Sequence, residues 1–332
     1  GIAVEIYEGR GDMRHEKVAA GRSINLALSD RGIAALREVG MDEYMLAEAM
    51  PMYGRLIHSA GGETKLLPYS GREGEYINSV SRSGLNIALI NEAEKYKEVR
   101  FHFGRRCTDL DRATGEAVFS DGSQVGGSTV IAADGAGSAI RTAMLNRGVE
   151  RFDYSQKWLE HGYKELVIPP VAEFDVLPAG VSPRAQRFVM DERALHIWPR
   201  HKFMMIALPN FDGSFTCTLF LAHSGDNSFE EISRKSAQMD ADTNNSADPA
   251  HPSGTAADSV LEFFEREFPD ALPLMPTLVD DFLTNPTGNL GTVKCWPWNI
   301  GGKALLLGDA AHAVVPFYGP GMNCAFEDVR VL

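Results

Sequence analysis

Cysteine is scarce in this chain. Only Cys107, Cys217, Cys295 and Cys324 occur among 332 residues, and no two of them form a C-x-x-C pair. This wide spacing argues against a disulfide framework and against a zinc cluster, and it favours reduced thiols. The H-E-x-x-H motif of zinc peptidases is also missing. We therefore expect no bound metal ion.

Long apolar runs and an excess of positive charge are missing as well. No run of about 20 apolar residues occurs, so no helix that spans a bilayer is expected. The first residues show no basic stretch followed by an apolar one, so no signal peptide is expected. The net charge is −13, which argues against nucleic acid as a partner because phosphate backbones attract basic surfaces. From these features we expect a cytoplasmic protein with a small-molecule substrate.

The chain does contain two kinds of sequence pattern: helix-like segments that alternate with strand-like ones, and long strand-like runs. Residues Ile2–Tyr7 alternate in polarity and predict a buried strand, which ends at Glu8 before a glycine-rich turn. Helix-like and strand-like segments alternate up to residue 150, and long strand-like runs follow from Phe152 onward. Residues about 223–257 are rich in Ser, Asp and Asn, so we expect a flexible insertion there.

These two sequence patterns predict an α/β protein with two domains. Residues 1–50, 80–150 and 285–332 are expected to form a nucleotide-binding domain with a parallel sheet. Residues 51–79 and 151–284 are expected to form an inserted substrate domain with an antiparallel sheet. Cofactor and substrate would meet where the two domains touch.

The strongest motif is A-L-L-L-G-D-A-A-H-A-V-V-P-F-Y-G-P-G-M-N-C-A-F-E-D at Ala304–Asp328. It predicts a strand that ends at Asp309, a glycine-rich loop, and a helix from about Met322. A carboxylate at a strand end can hold sugar or ribityl hydroxyls, and a helix start offers open N–H donors to an electron-rich ring. The alternative, a plain strand–loop–helix connection, is weak for a string of this length.

A second motif, A-A-D-G-A-G-S-A-I-R, covers Ala132–Arg141. Alone it fits an ordinary strand–turn–helix equally well. Together the two motifs resemble the paired signature of single-component FAD-dependent aromatic hydroxylases. Further strings resemble the kynurenine-hydroxylating members of that family, among them Gly21–Ser29, Met52–His58 and Ser79–Asn86. The resemblance covers nearly the whole chain outside the expected insertion.

The resemblance implies a fold and a reaction. The fold is a Rossmann-like FAD-binding domain of the glutathione-reductase type that carries a β-sheet substrate domain. The reaction is the conversion of L-kynurenine to 3-hydroxykynurenine through a flavin C4a-hydroperoxide, with bound FAD and with NADPH and O2 as co-substrates. Two alternatives stay open: a related hydroxylase of another aromatic acid, and an inactive fragment.

The resemblance also implies residue roles. Glu8 and Arg10 would hold the adenosine ribose, Asp309 the ribityl chain, and Arg55 with Tyr69 the substrate carboxylate. Phe317 and Tyr318 would lie near the flavin and substrate rings. The other positions expected to contact FAD are Ala27, Arg82, Cys107, Asp134, Gly321, Met322 and Asn323. His312 is expected to brace its loop rather than to transfer a proton.

The sequence departs from the family pattern in three places. The G-x-G-x-x-G turn expected about 20–30 residues before Glu8 is not present. The chain stops at Leu332, so we expect it to be truncated at both ends. A complete eukaryotic form could carry a C-terminal anchor for the mitochondrial outer membrane. Pro320 stands where the family usually has Gln, which removes an N–H donor.

Overall fold

The structure is a computed structural model. It describes residues 1–15, 25–72, 74–146, 151–178, 181–182, 186–233 and 256–332, and for Tyr318 the backbone alone. The strands are β1 Val4–Tyr7, β2 Leu26–Leu28, β3 Met50–Met52, β4 Gly54–His58, β5 Thr64–Pro68, β6 Ile77–Val80, β7 Val99–His102, β8 Cys107–Asp111, β9 Glu116–Phe119, β10 Gln124–Val125, β11 Val130–Ala132, β12 Asp153–Ile168, β13 Ala194–Arg200, β14 Phe203–Pro209, β15 Phe215–Ala222, β16 Gly288–Trp296, β17 Asn299–Ile300 and β18 Ala304–Leu306.

The helices are α1 Asp30–Glu38, α2 Asp42–Ala47, α3 Arg82–Ala93, α4 Ala139–Asn146, α5 Ala256–Glu267, α6 Leu278–Thr284, α7 Asp309–His312 and α8 Pro320–Val331. Three turns of 3₁₀-helix cover Val171–Glu173, Leu272–Leu274 and Pro316–Tyr318. Residues 229–233 form one more short helical segment. None of the described helices combines the length and the apolar character that crossing a bilayer requires.

Parallel pairing occurs in the predicted nucleotide-binding segments. Strand β1 pairs with β7, and β11 pairs with β18, both in parallel. The strand predicted at Ile2–Tyr7 forms as β1, but the interpretation that it is buried is wrong: Val4 is exposed, because β1 has β7 as its only neighbour among the described strands. The mixture of parallel pairs and helices confirms the predicted α/β class.

A seven-stranded sheet dominates the second half of the molecule. Its order is β16-β12-β15-β14-β13-β4-β5, and every pairing except β13 with β4 is antiparallel. Strand β16 lies beyond the domain boundary expected at residue 285, yet it forms one edge of this sheet. A smaller sheet, β2-β6-β3, is antiparallel and sits between α1, α2 and α3.

One face of the large sheet is covered by α5, α6 and the segment between them. Phe263, Phe264 and Phe282 from these helices pack against buried side chains of the sheet. Phe229 and Ile232 join the same core. These two residues lie at the start of the flexible insertion predicted at about 223–257. Residues 234–255 lie outside the described part, so the insertion stays a prediction.

Candidate functional site

The start of α8 is shaped by a glycine and a proline. Gly319 adopts the left-handed conformation (φ 63°) as the N-cap residue, and Pro320 is the first helical residue. The helix predicted from about Met322 thus begins two residues earlier, because the fixed φ of proline suits the first position. No side chain of the described residues caps this helix start. The N–H groups of Gly321 and Met322 are therefore left for a ligand.

Asn323 ties this helix start to β2 and α1. It is buried, and its Nδ2 donates to the carbonyl oxygens of Ala27 (2.8 Å) and Gly319 (3.0 Å). Its Oδ1 accepts from the backbone N–H of Ser29 at 3.0 Å. Both polar atoms of the side chain are therefore occupied by protein. Asn323 shapes the site from behind, and only its backbone can face a ligand.

Ala27 and Asp309 lie against the same loop. A Cβ added to Gly319 would stand 3.0 Å from the Cβ of Ala27, so the two backbones approach as closely as glycine permits. A Cβ on Gly321 would stand 3.8 Å from Oδ1 of Asp309. The Asp309 side chain is exposed at the end of β18. The structure therefore brings Ala27, Asp309 and the start of α8 together.

The second motif is joined to the first through Arg141. This buried side chain donates from Nη1 to the carbonyl oxygen of Ala310 at 2.8 Å, and it also donates to the carbonyl oxygen of Ala136. Asp134 accepts from the backbone N–H of Ala139 at 2.8 Å, which caps α4. Burial raises the pKa of the nearby Cys107 thiol, and the Asp134 carboxylate adds to the rise. Cys107 is thus a packed, neutral thiol beside Asp134.

Glu8 and Arg10 form a local ion pair. The Glu8 carboxylate accepts from the backbone N–H (2.8 Å), Nε (3.0 Å) and Nη2 (3.1 Å) of Arg10. Burial opposes ionisation of Glu8, but the hydrogen bonds from Arg10 outweigh it and lower the pKa of Glu8. Arg105 donates its backbone N–H to the Glu8 carbonyl oxygen, two residues before Cys107. The pair therefore lies at the same end of the domain as Cys107.

Arg82 opens helix α3 and is exposed. The preceding residue, Ser81, caps the helix by accepting from the backbone N–H of Gly84 at 3.1 Å, as the sequence predicts. Within the described residues Arg82 makes no hydrogen bond or ion pair. Its guanidinium is therefore available to an anionic group.

Arg55 and Tyr69 meet across the β4–β5 hairpin. The guanidinium carbon of Arg55 lies 5.0 Å from the centre of the Tyr69 ring. The Tyr69 hydroxyl is buried and has no hydrogen-bond partner among the described residues. Burial raises the pKa of Tyr69, and the charge of Arg55 opposes part of that rise. The neutral Tyr69 hydroxyl and the permanently charged Arg55 guanidinium thus lie side by side, and both can donate hydrogen bonds to a ligand.

Strand register places Arg55 on the face of the large sheet that is opposite α5 and α6. Paired residues in neighbouring strands share a face, and residues two apart along a strand do too. From Arg55 the face runs across β13 and β14 to β15. Its members along that path are Arg55, Ile57, Ile197, Ile206, Thr218 and Phe220. Phe220 packs edge-on against Phe317, with ring centres 5.3 Å apart.

A cleft of about 430 Å³ opens where the small sheet meets the large one. Asn25 crosses this seam, donating from Nδ2 to the Oγ of Ser79 (3.0 Å) and to the Oδ1 of Asn210 (2.5 Å). Thr216 contributes to the cleft from the Arg55 face of the sheet. Arg55 and Tyr69 themselves are not among its described lining residues.

The structure places Glu8 and Arg10 at the same end as Cys107 and Asp134, and it gathers further predicted positions into two groups. One contains Ala27, Asp309 and the start of α8, with Phe317 leading toward the sheet. The other is the pair Arg55 and Tyr69. Sequence reasoning missed Arg141 as the link between the two motifs, although it stands in the quoted string. It also missed Asn25 and Asn210, for which no sequence signal exists. His312 contacts Asp328 (Nε2–Oδ2 2.7 Å) and so braces the loop.

Solved structures of similar fold include an oxygenase and a protein solved with bound FAD. A tetrameric form of 2-methyl-3-hydroxypyridine-5-carboxylic acid oxygenase aligns with a TM-score of 0.67 at 19% identity, covering 98% of this chain and 73% of that one. HpxO of Klebsiella pneumoniae, solved with FAD and uric acid, aligns with a TM-score of 0.66 at 18% identity, covering 98% and 71%. The FAD binding domain family matches residues 289–332. The similarity to these structures shows the fold, and the family match covers the last strands, the glycine-rich loop and α8.

The chain is 45% identical to kynurenine 3-monooxygenase of Myxococcus xanthus, covering 100% of this chain and 65% of that protein. It is 44% identical to kynurenine 3-monooxygenase of Dictyostelium discoideum, covering 100% and 64%. Over its whole length the chain is similar to these kynurenine 3-monooxygenases. It spans about two thirds of the length of these relatives.

Proposed function

We propose that this protein is an FAD-dependent monooxygenase that hydroxylates L-kynurenine at ring position 3, with NADPH and O2 as co-substrates. The observation that carries the proposal is the placement of Arg55 and Tyr69 on a sheet face whose far end, at Phe220, is touched by Phe317 of the glycine-rich loop. A carboxylate-binding pair and a ring-binding loop then lie on one surface. A cytoplasmic location stays a prediction.

The residues at the start of α8 fit a flavin. Gly319 and Gly321 leave room for a flat ring, and the open N–H groups of Gly321 and Met322 suit its electron-rich edge. The exposed carboxylate of Asp309 suits the ribityl hydroxyls. Glu8, once released in part from Arg10, suits the ribose, and Arg82 suits the diphosphate. When bound, FAD supplies the redox and oxygen chemistry.

The chain's own residues bind and orient the substrate. Arg55 offers a bidentate fork to the amino-acid carboxylate, and the unpartnered Tyr69 hydroxyl offers a directional donor. From β4 to β15 the sheet spans three strand spacings, about 14 Å in all. That length accommodates an aromatic amino acid held by its carboxylate at one end, with its ring against Phe317 at the other. The apolar side chains between them, Ile57, Ile197 and Ile206, exclude water.

The carboxylate pair is tested by substitution. In Arg55→Lys we expect the KM for L-kynurenine to rise about tenfold with little change in kcat, because one charge-assisted hydrogen bond contributes about 1.5 kcal/mol. Tyr69→Phe is expected to act in the same direction. The matched control is Arg72→Lys, which changes an exposed arginine paired with Glu75. An unchanged KM in both substituted proteins would contradict the assignment.

The choice of substrate is tested by product analysis. NADPH oxidation coupled to formation of 3-hydroxykynurenine is the expected result with L-kynurenine. A panel of phenolic acids tests the alternative that the protein hydroxylates another aromatic acid. Hydroxylation of a phenolic acid alone would overturn the proposal. Purified chain that never retains flavin would favour the alternative of an inactive fragment.

A further inference from the structure

A chain of hydrogen bonds crosses the covered side of the large sheet. His58 Nδ1 lies 2.9 Å from Asp270 Oδ2, and His58 Nε2 lies 2.9 Å from His196 Nδ1. His196 Nε2 lies 2.8 Å from the carbonyl oxygen of Asp191. Trp198 donates from Nε1 to the same Asp270 Oδ2 at 2.8 Å. The cofactor and substrate groups described above make no use of this chain.

This hydrogen-bonded network is buried, and along the backbone it lies close to the proposed substrate site. His58 is 7% exposed and His196 1% exposed. His58 ends β4, three residues after Arg55, and it stacks on Trp198 with ring centres 4.1 Å apart. Asp270 lies outside the sheet, between α5 and α6. The contact therefore fastens the strand that carries Arg55 to the helical layer.

The hydrogen bonds of this network require a definite number of protons. Both of its ends are acceptors: the carbonyl oxygen of Asp191 and the carboxylate oxygen of Asp270. Three hydrogen bonds link these ends through His58 and His196, and each bond needs one proton. Two neutral imidazoles supply only two protons. A third proton must therefore be present, on His58, on His196 or on Asp270; burial lowers the pKa of His196, which leaves His58 and Asp270.

The surroundings place this proton on His58. Oδ2 of Asp270 already accepts from Trp198, whose indole nitrogen can only donate. Burial opposes ionisation of Asp270, but the hydrogen bonds from His58 and Trp198 outweigh it and lower the pKa of Asp270. Arg200 donates from Nη1 to the His58 carbonyl oxygen at 3.1 Å, and from Nε to the Glu267 carbonyl oxygen. The Glu267 carboxylate is paired with Arg266 (2.8 Å), so Asp270 is the carboxylate whose charge acts on both Arg200 and His58.

We propose that His58 is protonated on both ring nitrogens and is a positioning residue, which locks the Arg55 strand to Asp270. The effect on substrate binding rests on the proposed function; the protonation does not. Without the extra proton, one of the three buried hydrogen bonds could not form. Strand β4 is then held less firmly, and Arg55 loses its fixed position.

The protonation is tested by ¹⁵N NMR of the histidine side chains in the full chain at neutral pH. We expect the two ring nitrogens of His58 to give the similar shifts of an imidazolium, and those of His196 to give the well-separated shifts of a neutral ring. The His58 signals are assigned by their loss in His58→Gln. Neutral-ring shifts for His58 would overturn the proposal.

The role of Asp270 is tested with Asp270→Asn. The amide oxygen can still accept from Trp198, but the negative charge that holds the imidazolium is lost. We expect His58 to become neutral at neutral pH and the KM for L-kynurenine to rise about tenfold, the effect of losing about 1.4 kcal/mol, while kcat changes little. Asp280→Asn, at an exposed residue of α6, is the matched control and should change neither.

The ¹⁵N shifts of His58 and the KM for L-kynurenine test the pairing with Asp270 and the positioning role separately. A neutral His58 in Asp270→Asn with an unchanged KM would overturn the positioning role. A His58 that stays doubly protonated in this variant would overturn the pairing with Asp270. If the unsubstituted chain has no activity on kynurenine, the proposed function fails, and hydrogen exchange of the β4 amides then takes the place of KM. We expect that exchange, corrected for intrinsic rates, to quicken about tenfold in Asp270→Asn, in line with the loss of about 1.4 kcal/mol; unchanged exchange would overturn the positioning role.

Discussion

Asn323 illustrates how a residue can serve a cofactor site without touching the cofactor. The family resemblance implies that Asn323 lies beside the flavin ring. In the structure its side chain holds Ala27, Ser29 and Gly319 instead. These three contacts set the distance between β2 and the start of α8. The side chain therefore acts on the shape of the site, and its effect on FAD binding is indirect.

Removing this side chain tests the interpretation. Asn323→Ala loses three hydrogen bonds and leaves the part-buried N–H of Ser29 without the partner it has in the structure, so we expect the free energy of unfolding to fall by about 3 kcal/mol. FAD affinity should fall with it. Urea denaturation and flavin titration measure the two effects. Asn299→Ala, at an exposed asparagine that donates only to the Gly301 carbonyl oxygen, is the control and should change stability by much less.

At the scale of elements, the loop that leads into α8 depends on close approach at Gly319. In Gly319→Ala the new Cβ would meet the Cβ of Ala27 at 3.0 Å, and the backbone has a positive φ of 63°. We expect destabilisation by about 2 kcal/mol, from about 1 kcal/mol of backbone strain plus the contact with Ala27. Thermal unfolding with and without FAD measures it.

Gly301→Ala is the matched control for this prediction. Gly301 has a similar positive φ of 51°, but no atom lies within 4 Å of a Cβ added there. This variant should show the cost of backbone strain alone and should leave FAD affinity unchanged. Equal effects of the two substitutions would contradict the claim that β2 and the loop are in close contact.

Local elements with strong sequence signals could be predicted. The Ser81 cap and α3, the β4–β5 hairpin and the strand–loop–helix at residues 304–331 all follow from short-range patterns, and the structure confirms them. The start of α8 was misplaced by two residues because Pro320 was interpreted as a loop residue, although proline favours the first turn of a helix. The missing N–H of Pro320 is one that a helix start leaves open in any case.

Long-range contacts could not be predicted. Asn25 meets Asn210 across 185 positions, and His58 meets Asp270 across 212. Polar residues at such separations carry no periodic signal, because their partners are fixed only by strand register and by the packing of α5 and α6. The roles of the cofactor residues came from family resemblance, and the geometry adds which of their atoms stay free.

At the scale of the whole molecule, acid should destabilise the fold through His196. Burial lowers the pKa of His196 to about 4, and the charge of His58 adds to the effect. The unfolded chain, with an ordinary histidine pKa of about 6.5, takes up a proton that the folded chain refuses. The contribution of His196 to stability is therefore complete above about pH 6.5 and falls as pH decreases toward 4. The loss should reach about 3 kcal/mol.

Urea unfolding at a series of pH values between 7.5 and 4.5 measures this loss. His196→Gln cannot titrate, so its stability should vary less with pH over that range. His15→Gln changes a histidine whose side chain is 82% exposed, and it should retain the full slope. An identical slope in all three proteins would contradict the assignment to His196.

The central claim is that Asp309 and the start of α8 hold a flavin against β2. The most direct test is the dissociation constant of FAD for the chain and for Asp309→Ala, with Asp280→Ala as the control, measured by quenching of flavin fluorescence. We predict saturable binding of one FAD per chain, weakened about tenfold or more in Asp309→Ala because a charge-assisted hydrogen bond contributes about 1.5–3 kcal/mol. Equal affinity of the chain and Asp309→Ala would contradict the claim.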